Sequence, residues 1–65
     1  MSYHKLLGQI RAAGMTQTEL AEKIGISAVT LNKKLRGHSE FTQSEIRSIC
    51  QILQIPGDEI ASYFF

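Results

Sequence analysis

One cysteine, one proline and no tryptophan occur in this 65-residue chain. A lone thiol, Cys50, cannot form an intramolecular disulfide, and neither His4 nor His38 lies at a recognised metal-ligand spacing from it. A reducing cytoplasm is therefore the expected compartment, and no metal or other cofactor is expected. Long apolar runs are also missing. Gly8, Gln9 and Arg11 interrupt the first hydrophobic stretch, so the Met1–Lys5 start leads into neither a signal-peptide core nor a membrane span. There is no period-two apolar alternation, no repeat and no low-complexity tract, which argues against sheet, solenoid and disordered architectures. Charge of one sign is scarce too, the formal net charge being only +1.

What remains is 43% hydrophobic and 20% charged, the balance of a chain that buries a core. At this length that core supports one domain, residues 1–65, with no room for a second sensing or catalytic unit, so no small-molecule ligand is expected. The small net charge hides a local asymmetry. Residues 27–39 carry Lys33, Lys34 and Arg36 with no acid, whereas residues 40–65 set Arg47 against Glu40, Glu45, Asp58 and Glu59.

Apolar spacing of three and four predicts an all-α fold of five short helices. The first starts at Ser2 as N-cap, carries Tyr3, Leu6, Leu7, Ile10 and Ala13 inward and ends at Gly14. The second opens with the capping box Thr16-Gln17-Thr18-Glu19, turns Leu20, Ala21 and Ile24 inward and stops at Gly25. Ser27 caps the third, in which Leu31 and Leu35 are the expected core residues before a stop near Gly37. A second capping box, Thr42-Gln43-Ser44-Glu45, starts the fourth, with Ile46, Ile49, Cys50 and Leu53 inward and Pro56 closing it. Pro56 also suits the first turn of a fifth, with Asp58 and Glu59 near its N-terminus and Ile60, Tyr63 and Phe64 on its apolar side. Cys50 then reads as a small buried hydrophobe.

Two short helices joined by the three-residue turn Gly25-Ile26-Ser27, within about 17–36, meet the needs of a helix-turn-helix. Ala21 is small where the second helix passes close, and Leu20, Ile24, Ile26 and Leu31 lock the pair to the core. The segment Thr16-Gln17-Thr18-Glu19-Leu20-Ala21-Glu22-Lys23-Ile24-Gly25-Ile26-Ser27 resembles the helix-2 and turn pattern of the Cro and lambda-repressor (XRE-type) family, and the five-helix order extends the likeness over nearly the whole chain. The resemblance implies a compact lambda-repressor-like domain that binds double-stranded DNA. It implies that Gln17 approaches the DNA backbone and that Ala28, Val29, Asn32 and Lys33 face the bases. Their chemistry suits that role: lysine donates to guanine acceptors, asparagine pairs with adenine, and alanine or valine meets a thymine methyl. Ser27, Thr30, Lys34, Arg36 and His38 are expected at phosphates. For the basic residues the competing reading is a solvated helix face, and for His38 it is loop surface.

The family usually has an apolar residue where Lys34 stands, and here Leu35 follows one position later. Either the end of the third helix is rotated or lengthened, or Lys34 buries its stem and extends its ammonium outward. Tyr63, Phe64 and Phe65 either pack inward or form a homodimer interface. A dimer would span two half-sites of a palindromic or pseudo-palindromic operator. The resulting expectation is a small Cro-like regulator of phage or prophage type, a repressor and not an enzyme. The alternative is an antitoxin-like or other protein-interaction module that uses the apolar C-terminal helix.

Overall fold

Backbone amides at a helix start lack partners within the helix, and this chain supplies them from side chains three times. The Thr16 Oγ1 accepts from the Glu19 amide while the Glu19 carboxylate accepts from the Thr16 amide. Thr42 and Glu45 repeat the arrangement, and the Ser27 hydroxyl accepts from the Thr30 amide. In the computed structural model, which describes residues 3–65, these caps open α2 (Gln17–Ile24), α3 (Ala28–Leu35) and α4 (Gln43–Leu53). Before them lies α1 (His4–Ala12), and after them a single 3-10 turn (Gly57–Glu59) leads into α5 (Ile60–Phe64). The Ser2 cap expected for α1 lies outside the described residues. Among those residues there is no strand, and the fold is all-α with five helices.

The helix ends share one device. Gly25, at φ 81° and ψ 27°, lets its own amide reach the Glu22 carbonyl and lets the Ile26 amide reach the Ala21 carbonyl, which is the Schellman pattern. Gly14 and Gly37 close α1 and α3 in the same way. At the end of α4 the left-handed place is taken by Gln54, at φ 58°, and the Ile55 amide bonds to the Cys50 carbonyl. The helix therefore ends at Leu53, ahead of Pro56, because this closure already reverses the chain. Pro56 is extended, at ψ 150°, and stands before the 3-10 turn, outside the first turn of α5.

The centre of the core draws one residue from each of the first four helices: Leu6, Leu20, Leu31 and Ile49 are fully buried. Full burial of such a side chain contributes about 1.5–3 kcal/mol. All four belong to one buried cluster, so the core as well as the turn holds α2 and α3 together. Ala13, expected on this face, is exposed beyond the end of α1. Cys50 is buried, and burial pushes its thiol above the ordinary value. The C-terminal helix is tied to α1, where Lys5 Nζ lies 2.9 Å from Ser62 Oγ and 4.6 Å from the centre of the Tyr63 ring. Tyr3, Phe41 and Phe64 form two successive edge-to-face contacts at 5.4 and 5.5 Å.

That aromatic seam divides the three terminal residues. Phe64 is 4% exposed and belongs to the core, which corrects its expected place at a dimer surface. The short α5 enters on the 3-10 turn, and this register swings Phe64 inward against Phe41. Tyr63 is half-buried, and Phe65 is left 81% exposed.

Candidate nucleic-acid interface

Two faces of α3 have opposite characters. Leu31, Lys34 and Leu35, spaced at i, i+3 and i+4, are buried. Val29, Asn32 and Lys33, continued by Arg36 at the C-cap, form an exposed stripe on the other side. This spacing is one helical face, so the four side chains project together. Val29 is 66% exposed, and the only other exposed large hydrophobic among the described residues is Phe65. Ala28 is half-buried against the core and offers only part of its methyl surface to that face.

The first residue of α2 reaches this stripe. The Asn32 side-chain amide donates to Gln17 Oε1 at 3.3 Å, joining the two helices across their outer edge. The bond leaves the Gln17 NH2 group and the Asn32 carbonyl free to meet a ligand. At the start of α3 the Ser27 hydroxyl donates to Thr30 Oγ1 at 2.8 Å, so the free hydroxyl proton of the pair is on Thr30. Arg36 and His38 are exposed after the helix, where Gly37 turns the chain.

Lys34 departs from its expected place. It is 8% exposed, and its ammonium bonds to both oxygens of Glu45, the second at 2.6 Å. α3 is neither rotated nor lengthened: it ends at Leu35, and the inward position that would suit an apolar residue holds a lysine neutralised by an acid from α4. A phosphate contact through Lys34 is incompatible with this burial. Burial by itself would raise the Glu45 carboxyl. The hydrogen bonds from Lys34 and the Thr42 amide, together with the lysine charge, outweigh it and hold the group below its ordinary value. Sequence reasoning gave Glu45 only its capping role. The missing signal was Lys34 lying between Leu31 and Leu35 on a buried stripe, where a cation needs an acid.

An α2–turn–α3 pair anchored in the core through Leu20, Ala21 and Leu31, with an acid-free, exposed outer face on α3, is the geometry of a nucleic-acid reader. The sequence profile of the helix-turn-helix family matches residues 7–60. The chain belongs to that family. Its type is that of the Cro and lambda repressors, the match reaches from α1 to the start of α5, and the helix-turn-helix is built by α2 and α3. As a member of this family the protein is a DNA-binding transcription regulator, and its partner is double-stranded DNA. No curated protein matches the chain. Among the described residues no helix is long and apolar enough to cross a membrane.

Proposed function

We propose that this helix-turn-helix protein is a Cro-like repressor that lays α3 in the major groove of its operator. The exposed stripe of Val29, Asn32, Lys33 and Arg36 carries this reading, because it combines an apolar contact, a bidentate amide and two cations on one face. Val29, with the accessible part of Ala28, meets thymine methyls, Asn32 pairs with adenine and Lys33 donates to guanine. Gln17, Ser27, Thr30, Arg36 and His38 contact phosphates and fix the register. No catalytic role is assigned.

Residues 1–65 act as one DNA-binding unit in the bacterial cytoplasm, and two copies bind a palindromic or pseudo-palindromic site. A single stripe of this kind touches few bases, whereas a two-fold pair reads half-sites about 34–36 Å apart. The exposed Phe65, with the half-buried Tyr63, supplies the apolar surface for such a pair.

Selection of bound duplexes from random DNA tests the reading. Enrichment of a two-fold symmetric site is expected, with Val29→Ala and Lys33→Ala each relaxing preference at one position per half-site. A protein that enriches no sequence, but captures a partner protein through its C-terminal helix without DNA, would be an interaction module instead.

A further inference from the structure

Lys34 and Glu45 add an ion pair between α3 and α4, two helices that both pack on α2. The segment between them, residues 36–42, is largely exposed and is held at its start by two backbone bonds, Gly37 N–H to the Lys34 carbonyl and His38 N–H to the Lys33 carbonyl. Near its other end, the half-buried Phe41 ring sits between Tyr3 and Phe64. The ion pair closes this loop between rigid ends. Lys34 stands in the last turn of α3, and the Glu45 carboxylate is also fixed by the Thr42 amide at 2.8 Å.

Burial alone does not require a charge at position 34. Apolar residues in place of both partners would fill the same space without the cost of desolvating two ions, and such paired replacements are often neutral or stabilising. Removing Lys34 alone also leaves the Glu45 carboxylate largely buried without its cation, a cost that the internal reference below separates out. What the ion pair adds is direction, because two hydrogen bonds to one carboxylate define an orientation that an apolar contact leaves loose. The first residue of the loop is Arg36, at the end of the exposed stripe.

We propose that the Lys34–Glu45 pair is a positioning element that holds the loop after α3, and with it Arg36, in the arrangement that meets DNA. This rests on the DNA-binding reading of α3, and its test has one arm that needs DNA and one that does not. In the first arm, binding to the selected duplex is measured at fixed salt for wild type, Lys34→Met, Arg36→Ala and the double variant. Lys34→Met weakens binding about tenfold, within the range shown by coupled residues, and Arg36→Ala costs distinctly less in that background than in wild type. In the second arm, amide hydrogen exchange of the free protein is followed, with the Gly25 and Ile26 amides as internal reference for overall stability. The Gly37 and His38 amides exchange about tenfold faster relative to that reference in Lys34→Met. Glu45→Gln, which keeps an acceptor for the Thr42 amide, gives the same relative increase.

Equal costs of Arg36→Ala in the two backgrounds, or loop amides that keep their rate relative to the reference turn, would overturn the proposal. Should wild type select no duplex, the repressor reading fails, and the exchange comparison still decides whether the pair holds the loop.

Discussion

The Asn32 side chain on α3 donates to the Gln17 side chain at the head of α2, so in the proposed complex the residue that reads a base is anchored by the one that meets a phosphate. The bond restricts the Asn32 rotamer before DNA arrives, which lowers the ordering cost of binding. Its loss is measurable as coupling. Gln17→Ala and Asn32→Ala are each expected to weaken operator binding, and the double variant to lose less than the product of the two by a factor corresponding to about 0.5–3 kcal/mol. Strictly multiplicative losses in a binding titration at constant salt would show that the two side chains act independently.

Glu45 makes stability depend on acid in a defined direction. Its carboxyl is held below the ordinary glutamate value in the folded chain, so the unfolded state takes up the proton first as pH falls. The stabilisation is fully present above the unfolded value and is lost as pH drops through the lower folded one. Unfolding free energies followed from neutral pH into acid should therefore fall less steeply for Glu45→Gln than for wild type, with the curves converging at the acid end. Parallel curves would assign the acid dependence to other carboxylates.

These two relationships were unequally legible in the sequence. Capping boxes at Thr16 and Thr42 and the glycine turn at Gly25 are local, each decided within a few residues, and all three appear where the pattern placed them. The ion pair is not local, since its partners lie eleven residues apart and Glu45 already had a complete role as a cap. Gln54 was missed because glutamine carries no signal for a left-handed backbone. The buried Ile55 just after it, at the place where such closures put an apolar residue, was the available clue. Phe64 and Phe65 are adjacent in sequence, and only the 3-10 entry to α5 decides which one enters the core.

Two glycine substitutions should stabilise the protein for opposite reasons. Gly8 lies inside α1 with open space where a Cβ would project, so Gly8→Ala removes backbone freedom from the unfolded chain and adds no clash. Gln54 occupies a left-handed conformation that glycine adopts without strain. Each change is expected to add about 0.5–1 kcal/mol, or roughly 2–8 °C in melting temperature for a domain of this size. Thermal melts of the single variants and the pair check this, and additivity is expected because the sites lie on different helices. A lower melting temperature for Gln54→Gly would mean that the glutamine side chain stabilises the turn by more than its backbone strain costs.

Neighbouring phenylalanines give the clearest separation of fold from assembly. Phe64 is packed against Phe41, and Phe64→Ala should cost about 3–5 kcal/mol, a large share of the roughly 5–15 kcal/mol that holds a domain together. Phe65 is open to solvent, so Phe65→Ser in dilute protein should change stability by no more than about 0.5 kcal/mol. If Phe65 supplies the contact between two copies, the same variant weakens binding to a duplex with two half-sites while binding to a single half-site is unchanged. Sedimentation of the variant should show a shift towards monomer at concentrations where wild type pairs. Equal binding to the two-site duplex by wild type and Phe65→Ser would place the dimer contact elsewhere on the surface, without altering the assignment of Phe64 to the core.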